Sequence, residues 1–310
     1  MTDKAVIISG PTASGKSTIA QEISENYQKF CIINADSMQI YKELPILTAQ
    51  PIDCIARFKK DYYLYGILNY THNFSVVTWV DFTKIAMKKI WLLGKIPLIV
   101  GGTGLYIKSL IHGLSNIPEI SLEIKTLVSN LFVEIGVEKF YKLLCTVDHL
   151  SATKIHSNDK YRMIRAMEVF NQTGKPILTF YNNKKQTANF DFLHITIQPT
   201  RKLLYDSCNQ RFTEMIKANV LEEVLNFRIK TGSSTSILAR ALGYNYLCKY
   251  LSNEISKEKS IELSQIQTRQ YAKRQVTWFK NQAPESISIQ FESHYDARKQ
   301  TLSVVDNYIN

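Results

Sequence analysis

Cysteines are few in this chain. Five occur among 310 residues, no two of them form a C-x-x-C motif, and they lie far apart as Cys31, Cys54, Cys145, Cys208 and Cys248. An odd, dispersed set argues against a disulfide framework and against a structural zinc site. A reducing compartment therefore suits the protein.

Long apolar runs and metal-binding histidine patterns are also missing. No stretch approaches the ~18 apolar residues that a membrane span needs. The chain enters a strand pattern within its first residues, which does not resemble a signal peptide. We therefore expect no membrane partner and a cytoplasmic location. The six histidines show no H-x-x-x-H spacing, and we see no internal repeat or low-complexity tract.

Acidic residues are outnumbered by basic ones. The chain has 27 Asp and Glu against 38 Lys and Arg, a formal charge of +11. Such an excess indicates a polyanionic partner, although a lysine-rich surface from biased composition would give the same number. The hydrophobic content of 45% and the charged content of 21% are ordinary for a soluble globular protein.

Residues 10–17 match the phosphate-loop pattern G-x-x-x-x-G-K-[ST]. They follow an apolar run at 5–8 and precede a helical pattern, which is the context that this loop needs. The loop N–H groups and the helix N-terminus should face a diphosphate, with Mg²⁺ on Ser17. A capped glycine turn is the alternative, and the motif does not say whose diphosphate binds. The predicted diphosphate ligands are Gly10, Pro11, Thr12, Ala13, Ser14, Gly15, Lys16 and Ser17.

The order of patterns predicts an α/β fold, a P-loop parallel sheet flanked by helices and carrying a helical insertion domain. Strand patterns at 5–8, 30–33 and 98–100 alternate with helical ones. A period-two strand follows near 193–197, and the chain is then helical to about residue 280. We predict a core at 1–117 and 191–285, a helical insertion at 118–190, and a tail at 286–310 with a weak, disordered signal.

Polar or glycine-rich residues follow three of these strands. Ligands bind beyond the carboxyl ends of parallel strands, so the phosphate loop, Asp36-Ser37 and Gly101-Gly102-Thr103 should converge. Asp36 could be a helix N-cap or a carboxylate that faces the phosphate loop, touching a hydroxyl in a kinase or an amine in a base-modifying enzyme. No acid follows the strand at 98–100, which weakens an ATP-hydrolysis reading and suits an enzyme whose diphosphate leaves intact.

A basic helical pattern at 269–280 is the second strong signal. Arg269, Lys273, Thr277 and Lys280 share one face, and Ala272, Val276 and Phe279 share another. Two further polar side chains, Arg274 and Gln275, and one aromatic ring, Trp278, lie in the same segment. Basic stripes with aromatic neighbours are typical of nucleic-acid binding, whereas a solvated amphipathic helix is the alternative. Arg162 with Arg165, and Arg240 near Gly243-Tyr244, are weaker signals of the same kind.

Four segments taken in order resemble the bacterial tRNA dimethylallyltransferases, also called tRNA isopentenyltransferases. They are residues 10–17, 34–41 (Asn-Ala-Asp-Ser-Met-Gln-Ile-Tyr), 100–106 (Val-Gly-Gly-Thr-Gly-Leu-Tyr) and 273–279 (Lys-Arg-Gln-Val-Thr-Trp-Phe). The likeness runs from residue 4 to about 280. It implies transfer of a dimethylallyl group from dimethylallyl diphosphate to N6 of the adenosine beside the anticodon of tRNA, with Mg²⁺ accompanying the released diphosphate.

The resemblance also implies residue roles. Asp36 would contact the target adenine, and Thr103 would be catalytic. The partners would be dimethylallyl diphosphate and a tRNA anticodon stem-loop, and we expect a monomer. Whether ATP also binds the loop is open. The implied tRNA contacts are Asp36, Ser37, Met38, Gln39, Lys125, Tyr161, Arg162, Met163, Ile164, Arg165, Arg240, Gly243, Tyr244, Asn245, Lys273, Arg274, Gln275, Trp278 and Lys280.

The chain departs from the family pattern at three places. It has Leu47-Thr48-Ala49-Gln50 where Gly-Thr-Ala-Lys is common, Tyr62-Tyr63 where a His-His pair is usual, and Asn245 where a basic residue is usual. The residues alone leave other functions open. These are a P-loop small-molecule kinase, an isopentenyltransferase acting on free adenine nucleotides, and an RNA-binding module without enzymatic activity.

Overall fold

The chain divides into two compact units. The computed structural model describes residues 3–181, 190–232 and 236–310. The first unit is Met1–Ser109 with Asn189–Asn310, and the second is Leu110–Ala188. The second unit thus begins at Leu110 rather than at the predicted residue 118.

The first unit contains a six-stranded sheet. Its strands are β1 (Lys4–Ser9), β2 (Phe30–Asn34), β3 (Tyr62–Tyr63), β4 (Ile96–Gly101), β5 (Asp191–Pro199) and β6 (Ile287–Phe291), in the order β3-β2-β4-β1-β5-β6. Every pairing is parallel, so all the carboxyl ends lie along one edge. The central strands β1, β2 and β4 are almost entirely buried, as expected for a parallel sheet covered by helices on both faces.

Apart from the strands, the regular secondary structure of the described chain consists of helices. They are α1 (Lys16–Tyr27), α2 (Ile52–Arg57), α3 (Val76–Leu92), α4 (Gly104–His112), α5 (Leu122–Val147), α6 (His149–Ala152), α7 (Lys160–Thr173), α8 (Arg201–Lys217), α9 (Val220–Thr231), α10 (Tyr244–Leu251), α11 (Lys257–Gln282) and α12 (His294–Ile309), with short 3-10 helices at Lys59–Asp61, Ile177–Phe180 and Ile237–Arg240. None of the helices in the described ranges is long and apolar enough to cross a membrane.

The prediction of a disordered tail at 286–310 is wrong. Residues 287–291 form β6, which pairs with β5, and α12 follows it. Ile289 and Phe291 from the strand, with Ala297 and Val305 from the helix, are buried in the same cluster as β1 and α1. Apolar alternation in Ile-Ser-Ile-Gln-Phe is the period-two signal that predicts this strand.

The second unit is helical, as the sequence predicts for most of this segment. Helix α5 is interrupted at Gly136, whose φ of 75° and ψ of 172° are not helical. Asp159 caps α7 by accepting a hydrogen bond from the Arg162 N–H at 3.2 Å. Phe140 and Leu144 from α5 pack with apolar residues of α7 in a core of their own.

Candidate active site at the strand ends

The loop between β1 and α1 has the backbone geometry that its glycines allow. Gly10 has a φ of +144°, and a Cβ built there would lie 2.4 Å from the Ile197 carbonyl oxygen. Any side chain would therefore clash with β5. Gly15 is left-handed, with a φ of 86°, and precedes the first residue of α1. Both positions favour glycine, so the motif spacing follows from the fold.

Lys16 is a buried cation that folds back over its own loop. Its Nζ donates to the Pro11 carbonyl oxygen at 2.5 Å and to Ser14 Oγ at 3.3 Å. Burial lowers the pKa of Lys16 to about 7, although the negative charge of Asp36 acts in the opposite direction. An anion bound beside this amine would favour its protonated form.

Asp36 is held in place immediately after β2. The buried Asn34 accepts a hydrogen bond from the Asp36 N–H at 2.8 Å and donates to the Asp36 carbonyl oxygen at 3.0 Å. The Oδ1 of Asp36 accepts from the Met38 N–H at 2.9 Å. The carboxylate is thus fixed by a local turn. The N-cap alternative is wrong, because the next helix, α2, begins only at Ile52, and the carboxylate instead faces the phosphate loop.

Thr103 links the ends of β2 and β4. Its N–H donates to the Ala35 carbonyl oxygen at 3.1 Å. Its Oγ1 accepts from the Ser37 N–H at 3.0 Å and donates to Ser37 Oγ at 3.5 Å. The Asp36-Ser37 turn and the Gly-Gly-Thr loop therefore form one connected arrangement.

The three strand ends converge, as predicted, on a cleft of about 220 Å³. Its walls include the phosphate loop from Thr12 to Thr18, together with Asp36, Tyr65 and Gly102. We call this the strand-end cleft. It lies where ligands bind in open parallel sheets, and it combines a basic anion cradle with one carboxylate.

Arg211 is a cleft residue that the sequence analysis missed. It projects from α8, lines the strand-end cleft, and has a pKa lowered by burial. Its position in the helical pattern is the signal that could have found it. Leu204, Cys208 and Met215 form the buried face of α8, and Arg211 lies on the same face. A charged residue on an apolar face needs a partner, and a bound diphosphate would be one.

Eight of the predicted tRNA contacts are exposed, and six of these are lysine or arginine. In the first unit these are Arg240, Asn245, Lys273, Arg274 and Lys280, and in the second they are Lys125, Tyr161 and Arg162. Ile164 and Arg165 are half-buried, and Arg165 pairs with Glu168 at 3.1 Å. Ser37, Met38 and Gln39 are half-buried beside Asp36, with Gln39 Nε2 donating to the carbonyl oxygens of Thr48 and Ala49.

Four predicted tRNA contacts need correction because these residues are buried. Met163 is fully buried in the core of the second unit. Gly243 donates its N–H to Gln267 Oε1 at 2.8 Å and abuts the Phe212 ring. Tyr244 is 2% exposed, in the cluster formed with α8 and α9. Gln275 is 7% exposed, bonds to the Thr12 and Gly102 backbone and lines the strand-end cleft rather than the outer surface of α11.

The departures from the family pattern also have structural roles. Leu47 is buried, and its N–H donates to Glu223 Oε2 at 2.9 Å. Gln50 Nε2 donates to the Tyr41 carbonyl oxygen at 2.8 Å. Tyr62 and Tyr63 form the edge strand β3. Asn245 is exposed on α10, so it alone of these residues is placed to replace a surface contact.

The residues present fit a magnesium ion only if the diphosphate supplies most of its ligands. Ser17 is exposed and lines the strand-end cleft. Within residues 3–181, 190–232 and 236–310, no group of three or more His, Cys, Asp or Glu side chains could hold a metal ion. Mg²⁺ commonly takes a few protein oxygens and completes its shell with phosphate and water, which the Ser17 hydroxyl beside an anion cradle allows.

Comparisons with known proteins show which family this chain is similar to. The family model described as IPP transferase matches residues 39–282. A tRNA dimethylallyltransferase of Rickettsia conorii is 40% identical over 290 residues, covering 92% of this chain and 79% of the relative. One from Wolbachia pipientis subsp. Culex pipiens is 41% identical over 286 residues, covering 92% and 95%.

Solved structures of similar proteins have the same fold. A tRNA delta(2)-isopentenylpyrophosphate transferase from Staphylococcus epidermidis aligns with a TM-score of 0.66 at 30% identity over 99% of each chain. A eukaryotic dimethylallyltransferase acting on tRNA aligns with a TM-score of 0.82 over 99% of this chain and 79% of that one, at 23% identity. With the family model matching most of its length and relatives near 40% identity, this chain belongs to the IPP transferase family.

Proposed function

We propose that the protein transfers a dimethylallyl group from dimethylallyl diphosphate to N6 of the adenosine adjacent to the anticodon in tRNA. One observation carries the proposal. The strand-end cleft joins an anion cradle to a fixed carboxylate, Asp36, with no acid following β4 where a Walker-type NTPase would place one. The names of the relatives support the same reaction.

The leaving diphosphate is stabilised by the cradle. Loop N–H groups, Lys16 and Arg211 supply positive charge where negative charge develops as the allylic C–O bond breaks. Lys16 is held beside the cradle before the donor arrives, since its Nζ bonds to Pro11 and Ser14. Mg²⁺, held by Ser17 and the phosphate oxygens, would add further charge neutralisation.

Asp36 orients the attacking amine. Its Oδ1 is engaged by the Met38 N–H, so Oδ2 accepts a hydrogen bond from adenosine N6. A carboxylate is a weak base towards an aromatic amine. The proton therefore moves to Asp36 late, once N6 forms its bond to the prenyl carbon and becomes acidic. The C–O electron pair departs with the diphosphate, which balances the step.

Thr103 directly follows Gly102, which lines the cleft. Its Oγ1 accepts from the Ser37 N–H and donates its proton to Ser37 Oγ over a long distance of 3.5 Å, a bond that a charged oxygen would replace as the stronger acceptor. We assign that proton to the bridging oxygen of the departing diphosphate. The hydrogen bond would strengthen as that oxygen gains charge.

The exposed basic residues of α11 and of the second unit bind the tRNA backbone. The target adenine must leave its stack to reach Asp36, at a cost of about a few kcal/mol that is lower in a loop than in a duplex. Contacts between lysine or arginine and phosphates offset this cost. We propose that the protein acts as a monomer in the cytoplasm, where tRNA is abundant.

The test is incubation of purified protein with Mg²⁺, labelled dimethylallyl diphosphate and an anticodon stem-loop. We expect label in the RNA and one diphosphate released for each group transferred. A protein that ignores the prenyl donor but passes the terminal phosphate of ATP to a small acceptor would be a kinase instead. Transfer to free AMP, but not to the stem-loop, would identify the nucleotide isopentenyltransferase alternative.

A further inference from the structure

Gln275 is a buried amide on the inner face of α11. Its neighbours Lys273 and Arg274 are exposed, whereas Gln275 is 7% exposed. Thr268, Ala272 and Phe279 are buried on the same side of the helix. A polar side chain on such a face requires hydrogen-bond partners.

Those partners belong to two different loops of the strand-end cleft. Gln275 Oε1 accepts from the Thr12 N–H at 2.7 Å, and Gln275 Nε2 donates to the Gly102 carbonyl oxygen at 2.8 Å. One rigid amide thus spans the phosphate loop and the Gly-Gly-Thr loop. It also satisfies two backbone groups that lie outside regular secondary structure.

Trp278, one turn further along α11, contacts the other side of the Gly-Gly-Thr loop. A Cβ built on Gly104 would lie 2.3 Å from the Trp278 ring, so the ring packs directly on that glycine. Gln275 holds Gly102 and Trp278 covers Gly104. The residue between these two glycines is Thr103.

We propose that Gln275 is a positioning residue that sets the distance between the diphosphate cradle and Thr103, and that it does not contact tRNA. This inference rests on the proposed transfer reaction, because it assigns the two loops to the leaving group. Displacements of about 1 Å between reacting groups can cost up to roughly 100-fold in rate. Breaking the bridge should therefore slow the chemistry without changing RNA affinity.

The main variant is Gln275→Met, which keeps the side-chain length, adds no charge and removes both hydrogen bonds. Gln270→Met is the matched control, because Gln270 is exposed on the same helix. We expect Gln275→Met to lower the single-turnover transfer rate roughly tenfold or more and to weaken pyrophosphate binding measured by calorimetry. Stem-loop affinity and its salt dependence should match wild type, and Gln270→Met should match wild type throughout.

A second variant breaks the same bridge from the other loop. A Cβ on Gly102 would lie 2.4 Å from Gln275 Nε2 and 3.2 Å from the Gly10 carbonyl oxygen, so Gly102→Ala should displace the amide. If the two residues act through one bridge, the double variant should be no slower than the worse single variant. Circular dichroism and thermal melting identify a variant that folds poorly, and the other single variant then tests the bridge alone.

Three results would overturn the positioning role. They are wild-type rate and pyrophosphate affinity in Gln275→Met, loss of stem-loop affinity in proportion to the loss of rate, or fully additive effects in the double variant. Failure of the proposed function would give a different result, because the wild type itself would then attach no prenyl group to the stem-loop. The pyrophosphate measurement does not depend on transfer, so it still decides whether the bridge supports the cradle.

Discussion

The strand-end cleft and the exposed basic surface of α11 (Lys273, Arg274 and Lys280) lie in the same unit but are built differently. In the cleft, Lys16 and Asp36 are fixed by local hydrogen bonds, and Thr103, which follows the lining residue Gly102, is bonded to Ser37. On the surface, long basic side chains stand in solvent. The cleft is therefore preorganised for a reaction, whereas the surface suits contact with a flexible polyanion.

Gln275 shows why the two regions cannot be separated by sequence position alone. It follows Lys273 and Arg274 directly, yet its amide serves the cleft. Substitutions in the cleft should change the rate of chemistry, and those on the surface should change RNA affinity. A variant that changes both the rate of chemistry and the RNA affinity would contradict this division between the cleft and the surface.

The largest effect is expected at Asp36. Asp36→Asn keeps the side-chain shape but removes the group that takes the N6 proton, so turnover should fall by roughly 10²–10⁴-fold. Stem-loop affinity should stay near wild type. Single-turnover quench experiments and fluorescence anisotropy measure the two quantities, with Asp81→Asn on the exposed face of α3 as the matched control. Equal losses in rate and affinity would show that Asp36 contributes to RNA binding rather than to the chemical step.

An intermediate effect is expected from pH, through Lys16. The pKa of Lys16 is lowered to about 7 by burial, and a bound diphosphate should raise it. Binding therefore takes up a proton, and donor affinity should fall as pH rises above 7, approaching about tenfold per pH unit. In the free protein, the effect of rising pH on the free energy of unfolding has the opposite sign. The unfolded chain keeps this proton up to a pKa near 10.5, so the contribution of Lys16 to stability rises with pH across that window.

Calorimetry with a non-reactive donor analogue, in buffers of different ionisation enthalpy, measures the proton uptake. Lys16→Arg is the control, because a guanidinium stays protonated and should remove the pH dependence above 7. Wild-type affinity that stays constant between about pH 6.5 and 8.5 would contradict a neutralised Lys16.

The smallest effect is expected on the basic surface. Lys273→Ala should weaken stem-loop binding a few-fold and reduce the slope of log affinity against log salt by roughly 0.7–0.9. The single-turnover rate at saturating RNA should not change. Lys88→Ala, which removes an exposed lysine on α3, controls for net charge. An unchanged salt slope in Lys273→Ala would exclude this phosphate contact.

The sequence predicts the frame of the active site well because its signals are local. A phosphate loop needs glycines where the backbone is left-handed or crowded, as at Gly10, and parallel strands bring Asp36 and the Gly-Gly-Thr loop to one edge. Convergence follows from topology, so three strand-end motifs were enough to predict the strand-end cleft.

Sequence patterns failed where a side chain works through distant partners. Gln275 and Arg211 both lie on buried helical faces. Thr12, a hydrogen-bond partner of Gln275, is 263 residues away in the sequence, and Arg211 lines the strand-end cleft. A search for polar residues at apolar helical positions would have found both. The buried Met163 and Tyr244 were misassigned for the opposite reason, since a family motif does not distinguish a packed residue from a contacting one.

The most direct measurement replaces the target adenosine of the stem-loop with purine riboside, which lacks only the exocyclic amine. In a rapid-quench experiment with labelled dimethylallyl diphosphate, the account predicts label in the adenosine stem-loop and none in the purine riboside stem-loop, while both bind with similar affinity. Equal labelling of the two RNAs would contradict attack by N6 and with it the role given to Asp36.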